Sequence, residues 1–226
     1  MVQFRHEIKM GISAFDRVML SSRLSHGLKR DGHTGPNGSY VVRSIYFDDD
    51  NDTAVKEKLA GVKYREKFRI RTYDSFALVI KLEKKVKNNG VGYKESARLT
   101  REECQSLLRG NYDFLIERSE AVCKQLYIKM RTGLFKPKTI VQYNREAYVW
   151  NPGRVRITID SNLKTGIASI DFLNFELPLT SAMDNGNSIL EIKYDSFLPA
   201  HISNLIKLDS RQKGAFSKYV LCRRYR

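Results

Sequence analysis

The chain has few cysteines, few acidic residues and no long apolar segment. Its 226 residues include three cysteines, which are too few and too widely separated for the disulfide framework of a small secreted protein. No apolar run approaches the roughly 20 residues that span a bilayer, and the charged residue Arg5 argues against a signal peptide. We therefore expect a reduced, cytoplasmic protein without a transmembrane segment.

Negative charge is scarce relative to positive charge. The chain has 25 Asp and Glu residues against 40 Lys and Arg residues, which gives a formal net charge of +15. Such an excess predicts attraction to polyanions, which include nucleic acid, nucleotides, polyphosphate and acidic membrane surfaces. The length suits one domain, which we predict to cover residues 1–226.

Several familiar functional motifs are missing. The four histidines do not have the spacing of zinc ligands, and local sequence indicates no Ser-His-Asp or Cys-His set. Residues 27–34 come close to a phosphate-binding P-loop, but His33 stands where that motif needs lysine. An RNA-binding sheet stacks bases on exposed aromatic residues, whereas the aromatics here fall on the face opposite the basic residues. We therefore predict no specific nucleic acid partner.

The most informative feature present is an alternation of basic and other residues with period two. In residues 62–73 the basic positions share one face of a predicted strand, and they are Lys63, Arg65, Lys67, Arg69 and Arg71. Like charges side by side on a strand repel, so a nearly pure basic row indicates that a polyanion lies along it. Comparable two-faced segments occur at 4–10, 76–87, 141–145, 154–160 and 189–194.

Two architectures fit these two-faced strands. In a sandwich the apolar faces pack together and the charged faces meet water. In a wide barrel the apolar faces lie under covering helices, and the charged faces line a wet interior. Amphipathic segments between the strands favour the covered barrel, and they include a helix from Ser13 to about Leu28, one opened by a capping box at 100–103 and one from Asp113 to about Arg131. Antiparallel strands with interspersed helices predict the α+β class in either case.

Four carboxylates interrupt the basic faces, and they are Glu7, Glu83, Asp160 and Glu191. One interpretation is that each forms an ion pair with a neighbouring Lys or Arg. The other is that one or more bind a hard divalent ion such as Mg²⁺ or Mn²⁺. Such an ion would bridge phosphate oxygens and stabilise charge during phosphoryl transfer. Both interpretations remain open from the residues alone.

Several short segments, taken together and in order, resemble the VTC (vacuolar transporter chaperone) domain of the triphosphate tunnel metalloenzymes, a CYTH-like superfamily. They include SIYFD at 44–48, RIRTY at 69–73, LEKK at 82–85, VRITID at 155–160, LEIK at 190–193 and FSKY at 216–219. The matches extend from about residue 4 to residue 220. The resemblance implies an eight-stranded antiparallel β-barrel that forms a tunnel, with covering helices.

The resemblance also implies an activity. Members of the VTC branch include polyphosphate polymerases, which transfer the γ-phosphate of ATP to a polyphosphate chain, usually with Mn²⁺. It therefore implies ATP and inorganic polyphosphate or triphosphate as partners, and Mn²⁺ (or Mg²⁺) as cofactor. A triphosphatase on the same tunnel and a polyphosphate-binding module without turnover stay open, as does association with a membrane partner.

Site residues follow from the same resemblance, position by position. The phosphate-binding positions are Lys9, Lys58, Arg69, Arg71, Lys85, Arg145, Arg156, Lys193 and Lys218, and the catalytic candidates among them are Arg69, Arg71, Arg145 and Lys193. Glu191 matches the metal-binding carboxylate, and Glu83 is the second metal candidate. Lys58 stands where yeast-type polymerases carry Arg, and Ala215 where they carry a second Lys, for which Lys213 could substitute.

Overall fold

A computed structural model describes residues 6–35, 37–74, 77–89, 91–184, 186–208, 214 and 216–224. The strands are β1 (His6–Ile12), β2 (Lys29–Arg30), β3 (Tyr40–Asp48), β4 (Tyr64–Tyr73), β5 (Ala77–Asn88), β6 (Val91–Leu99), β7 (Lys136–Trp150), β8 (Val155–Ile167), β9 (Thr180–Ser181) and β10 (Ser188–Tyr194). The helices are α1 (Ala14–Gly27), α2 (Thr53–Leu59), α3 (Arg101–Leu108), α4 (Phe114–Glu117), α5 (Ala121–Gly133), α6 (Ala200–Leu205) and α7 (Lys218–Arg223).

Eight of the strands form one continuous sheet in the order β1-β10-β8-β7-β3-β4-β5-β6. The short strand β2 pairs with β7, and β9 pairs with β8. The ladders β1–β10, β10–β8, β3–β4, β4–β5 and β5–β6 are all antiparallel. The predicted α+β class, with eight antiparallel strands and covering helices, is confirmed.

The chain divides into two compact units. The first unit comprises Met1–Val41, Tyr143–Leu163 and Ser181–Ser217, and the second comprises Val42–Gln142, Lys164–Thr180 and Lys218–Arg226. Each unit has its own cluster of buried apolar side chains. The single domain over residues 1–226 stays a prediction.

In the second unit, helices cover the apolar face of the sheet. Phe68 of β4 and Leu82 of β5 are fully buried in one cluster with Leu126 of α5. Burial alternates along β4, so Arg69 and Arg71 lie on the opposite face of the strand. The predicted separation of apolar and basic residues is therefore observed on this strand.

The first unit is built on the same plan. Ile157 of β8 and Leu190 of β10 are buried against Leu20 and Leu24 of α1 and Ile202 of α6. Burying these side chains removes apolar surface from water, which is the main stabilising contribution to such a core. The alternate positions of β8 and β10 carry the polar and charged side chains of this unit.

The helix starts follow the sequence signals, whereas one predicted helix is interrupted. Capping boxes open α1 at Ser13 and α3 at Thr100, as predicted. The predicted helix over 113–131 ends at Glu117 and resumes at Ala121, because Arg118 adopts an extended backbone. The guanidinium of Arg118 donates hydrogen bonds to the Glu103 and Glu120 carboxylates, which stabilise the break.

Candidate functional site

A small polar cavity lies in the first unit. Its volume is about 70 Å³, and the side chains that line it are Arg145, Arg156, Thr158, Glu191 and Lys193. These residues belong to β7, β8 and β10, and the β8–β10 ladder sets Arg156 opposite Lys193 and Thr158 opposite Glu191. Three cations and one carboxylate therefore share a space that is large enough for several water molecules.

Carboxylates hold the two arginines of this cavity. Arg145 forms two parallel hydrogen bonds with Asp160, from Nε to Oδ1 at 2.6 Å and from Nη2 to Oδ2 at 2.8 Å. Arg156 Nη2 lies 2.8 Å from Asp31 Oδ2 and donates to the Tyr40 hydroxyl at 3.3 Å. Paired donors fix the plane of the Arg145 guanidinium, and the two acceptors of Arg156 Nη2 fix one end of the Arg156 side chain, so both arginines are oriented before any ligand arrives.

The carboxylates at the start of β1 and in β10 share the lysines of those strands. Lys9 Nζ lies 2.6 Å from Glu7 Oε1 and 3.8 Å from Glu191 Oε2. Lys193 forms an ion pair with the other oxygen of Glu191. Glu7 and Lys9, like Glu191 and Lys193, are two positions apart and therefore share a strand face. The antiparallel register sets these two pairs side by side, because Glu7 stands opposite Lys193 and Lys9 stands opposite Glu191. Each lysine therefore lies beside a carboxylate on the neighbouring strand.

Burial and neighbouring charges shift the pKa values of Arg145 and Lys193 in the first unit. Burial alone would lower the pKa of Arg145, but the interactions with Tyr143 and with the Asp160 carboxylate raise it well above its ordinary value. Burial lowers the pKa of Lys193, even though the Glu191 carboxylate opposes that shift. A bound anion would favour the ammonium form of Lys193, so this lysine is suited to respond to negatively charged ligands.

The second unit contains a basic group built around one buried carboxylate. Glu83 is 1% exposed; its Oε2 accepts from Arg69 Nε at 2.8 Å, and its Oε1 accepts from Lys94 Nζ at 2.8 Å. Arg71 Nη1 lies 3.9 Å from Oε2. Burial alone would raise the pKa of Glu83, but Arg69, Arg71 and Lys94 lower it to about 2. Glu83 is therefore ionised at neutral pH.

A buried tyrosine belongs to the same group. Tyr46 Oη accepts a hydrogen bond from Arg69 Nη1 at 3.0 Å, and the β3–β4 register pairs these two residues. Burial alone would raise the pKa of Tyr46, but Arg69, Arg71 and Lys67 lower it to about 8. The phenol therefore reports on the positive charge that surrounds it.

Helix α7 is anchored beside this tyrosine. The ring of Tyr219 stacks on Tyr46 with 4.7 Å between centroids, and its hydroxyl donates to Asp48 Oδ2 at 2.9 Å. Arg223 Nη2 forms a second tie, 2.6 Å from Asp52 Oδ1. These contacts fix the helix whose first residue is Lys218.

The family model of the VTC domain matches residues 4–225. The chain belongs to the VTC domain family. The resemblance inferred from the sequence motifs is thereby confirmed over nearly the whole length. No curated protein matches this VTC-domain chain, and no helix of the described residues combines the length and hydropathy needed to cross a membrane.

Two solved structures are similar to this VTC-domain chain at low sequence identity. The PH1819 protein from Pyrococcus horikoshii OT3 is 13% identical with a TM-score of 0.43, over 90% of this chain and 84% of that chain. A Bacillus halodurans protein named a "putative adenylate cyclase (bh2851)" is 13% identical with a TM-score of 0.46, over 90% of this chain and 85% of that chain. Likeness at this level carries no argument about activity.

The predicted site residues of the VTC-domain chain fall into both units. The first unit holds Lys9, Arg145, Arg156, Glu191 and Lys193, of which the last four line one cavity. The second unit holds Lys58, Arg69, Arg71, Glu83, Lys85 and Lys218. Their roles in phosphate binding and catalysis stay predictions. Arg5, Lys213 and Ala215 lie outside the described residues.

Within the second unit, the predicted residues differ in how closely they gather. Arg69 and Arg71 share the carboxylate of Glu83. In contrast, Lys85 stands opposite another lysine in each of its two strand registers, Lys67 on β4 and Lys94 on β6. Lys58 lies in the last turn of α2. Burial lowers the pKa of Lys67 to about 8, and the charge of Lys58 contributes to that shift. Lys218 opens α7, next to the anchored Tyr219.

Several residues of these groups were not selected from the sequence, and they are Asp31, Tyr40, Tyr46, Lys94 and Thr158. Thr158 had a usable signal, because period two places it between Arg156 and Asp160 on one strand face. Lys94 also had one, because the hairpin turn after Asn88 fixes the register that sets it opposite Lys85. The contacts of Asp31, Tyr40 and Tyr46 depend on tertiary packing.

The donor set suits a divalent ion only in part. Glu191 and Glu7 offer hard oxygen ligands on neighbouring strands, and both contact the ammonium of Lys9. Mg²⁺ is commonly held by one or two carboxylates together with substrate phosphates. The described residues contain no cluster of three or more His, Cys, Asp or Glu side chains that could hold a metal. Glu191 and Glu7 thus fit an ion that binds with phosphates. Glu83 accepts hydrogen bonds from Arg69 and Lys94, and its role as a metal ligand stays a prediction.

Proposed function

We propose that this VTC-domain protein is a metal-dependent phosphotransferase that builds inorganic polyphosphate from the γ-phosphate of ATP. Family membership supports a phosphate-containing substrate. The observation that carries the proposal is the first-unit cavity, where Arg145, Arg156 and Lys193 meet Glu191. Cations beside a carboxylate suit a phosphate chain that binds together with a divalent ion.

The arginines of the cavity would bind phosphate oxygens with little reorganisation. Arg145 and Arg156 are already oriented by Asp160 and Asp31, and a guanidinium presents paired donors that match phosphate geometry. Lys193 adds a compact positive charge. Donors fixed in advance stabilise the charge that develops on a transferring phosphoryl group better than mobile donors do.

The second-unit basic group would hold further phosphates of the substrate. Arg69 is ordered by Glu83, and Arg71 is ordered by the Ser44 hydroxyl, to which its Nε donates at 3.1 Å. Both arginine side chains are largely buried. A phosphate that approaches them would compete with the Glu83 carboxylate for the same donors. Lys58, Lys85 and Lys218 are proposed to add longer-range attraction for a polyanion.

The proposed cofactor is Mn²⁺ (or Mg²⁺), held by Glu191 with Glu7 and, as a second candidate, by Glu83. When bound, the ion would neutralise phosphate charge and act as a Lewis acid. Polymerase activity further requires that a chain-end phosphate, rather than water, attacks the γ-phosphate. The burial of Glu191, which is 6% exposed, supports a site from which bulk water is largely excluded.

The proposed partners are ATP and inorganic polyphosphate or triphosphate, without a specific nucleic acid. The proposed location is the cytoplasm, which agrees with three free and buried cysteines, Cys104, Cys123 and Cys222. Burial raises the pKa of each of these thiols, so they are poor nucleophiles and are not assigned to the reaction.

The proposal is tested by incubating the protein with ATP and Mn²⁺ and then separating long-chain polyphosphate from free phosphate. Accumulation of chains that grow with time supports the polymerase. Free phosphate without chains would instead identify a triphosphatase. Binding of tripolyphosphate without turnover would identify a binding module. The Arg145→Ala variant is the control, because a genuine product should decline when this buried guanidinium is removed.

A further inference from the structure

Two polar atoms that belong to residues of the first-unit cavity lack a hydrogen-bond partner. The Oγ1 of Thr158 is buried without a partner among the described residues, and so is the Nε of Arg156. Thr158 as a whole is only 5% exposed. Buried polar groups in folded proteins are nearly always hydrogen-bonded, because leaving one unpaired is destabilising. The two atoms therefore indicate a polar occupant of the cavity.

The side chains that line the cavity determine which hydrogen-bonding groups and which charge the occupant must have. The Nε–H of Arg156 can only donate, so its partner must be an acceptor atom and cannot be a metal ion. The Thr158 hydroxyl can donate as well. Arg145 and Lys193 add positive charge on the same lining, against the single carboxylate of Glu191. An oxyanion meets these requirements better than a neutral molecule or a cation.

The size of the cavity limits the occupant further. One water molecule needs about 10–15 Å³ of the space accessible to its centre, and the cavity offers about 70 Å³. It therefore has room for about five water-sized atoms. That number matches the heavy atoms of one phosphate group, whereas a nucleobase is about twice as large. The space fits a single phosphoryl group of a chain rather than the nucleoside of ATP.

We propose that Thr158 is a phosphate-binding residue whose hydroxyl donates a hydrogen bond to the phosphoryl group in this cavity, beside Arg145, Arg156 and Lys193. The inference rests on the proposed function and specifies which part of the substrate this site binds. Without ligand, the unpaired hydroxyl destabilises the folded protein. With ligand, the same hydroxyl contributes a charge-assisted hydrogen bond. Thr158 thus adds affinity for phosphate at the expense of stability.

The Thr158→Val variant tests this role, because valine keeps the shape of threonine and removes the hydroxyl. We expect its melting temperature without ligand to equal or exceed that of the wild type, since an unpaired buried group has been removed. We expect its affinity for inorganic tripolyphosphate, measured calorimetrically, to fall about tenfold, because a hydrogen bond to a charged group is lost. The Thr158→Ser variant keeps the hydroxyl and should bind close to the wild type.

The Ser188→Ala variant is a matched control. Ser188 is fully buried on β10, and its hydroxyl also lacks a partner among the described residues, but it does not line the cavity. Removing that hydroxyl should leave tripolyphosphate affinity unchanged. An equal loss of affinity in Ser188→Ala and Thr158→Val would contradict a specific contact at Thr158.

The remaining outcomes separate this inference from the proposed function. Unchanged tripolyphosphate affinity in Thr158→Val would overturn the assignment of Thr158 as a phosphate-binding residue. A lower melting temperature of Thr158→Val without ligand would assign the hydroxyl a structural role. A wild type that does not bind tripolyphosphate at all would overturn both proposals. A wild type that binds it through Thr158 but makes no polyphosphate would overturn the proposed function and leave the Thr158 assignment standing.

Discussion

Replacing Glu83 by glutamine removes the carboxylate at the centre of the second-unit basic group and nearly preserves its shape. Glu83 accepts from Arg69 and Lys94 and lies 3.9 Å from Arg71. A pKa lowered from 4.5 to about 2 corresponds to about 3 kcal/mol of favourable interaction with the ionised form. The loss of one partner from a buried ion pair costs a similar amount, about 3–5 kcal/mol.

We therefore expect Glu83→Gln to lower the unfolding free energy by about 3 kcal/mol, measured by chemical denaturation. For a chain of this length that loss corresponds to a decrease of roughly 6–12 °C in melting temperature. Added tripolyphosphate should recover most of the loss, because its negative charge replaces the missing carboxylate among the cations. Tripolyphosphate should also bind Glu83→Gln more tightly than it binds the wild type.

The Glu66→Gln variant provides the matched control. Glu66 lies on the neighbouring strand β4. It pairs with Lys84 at 2.7 Å and Lys129 at 2.8 Å, which are not the cations that pair with Glu83. Its replacement should also be destabilising, without recovery by tripolyphosphate. Unchanged stability in Glu83→Gln, together with a loss of Mn²⁺-dependent turnover, would refute the ion-pair reasoning and identify Glu83 as a metal ligand.

Three further predictions concern single groups. Tyr46, with a pKa of about 8, should give a phenol that ionises near that pH in a spectrophotometric titration, and tripolyphosphate should raise that pKa because it screens the nearby arginines. An unchanged titration in Tyr46→Phe would contradict the assignment. The folded-state pKa of Glu83 is depressed, so its stabilising contribution is present above about pH 4.5 and is lost as the pH falls towards about 2. The unfolding free energy of Glu83→Gln should therefore lack the decrease that this carboxylate causes in the wild type over that pH range. Tyr219→Phe keeps the stacked ring but leaves Asp48 without its hydroxyl donor, and should lower the unfolding free energy by about 1–3 kcal/mol in urea; a neutral effect would argue against this anchor of α7.

The local elements of this fold could be predicted from the sequence because their signals are local. Ser13 and Thr100 begin helices through capping boxes that lie within four residues. The alternation along residues 64–73 correctly separates the buried Phe68 from the basic residues of β4. The break at Arg118 was missed, because it depends on a contact with Glu103, which lies fifteen residues earlier in the chain.

The composition of the site was only partly predictable. Period two placed Arg156, Thr158 and Asp160 on one face, but the pairing of Asp160 with Arg145 depends on how two strands align. The same limit applies to Tyr46 and Arg69, which meet through the β3–β4 register across 23 positions of sequence. Side-chain pairing across strands is set by tertiary packing, so sequence identified the candidates but not their partners.

We propose that Glu191 holds a divalent ion for phosphoryl transfer while the basic residues bind the phosphate chain. The most direct test of this proposal compares wild type and Glu191→Gln for long-chain polyphosphate made from ATP with Mn²⁺ and for affinity to tripolyphosphate without metal. A metal ligand contributes several kcal/mol of charge stabilisation, so we predict that synthesis falls by more than about 100-fold while tripolyphosphate affinity is kept or increases. Full synthesis by Glu191→Gln would contradict the account and leave Glu191 as an ion-pair partner of Lys9 and Lys193.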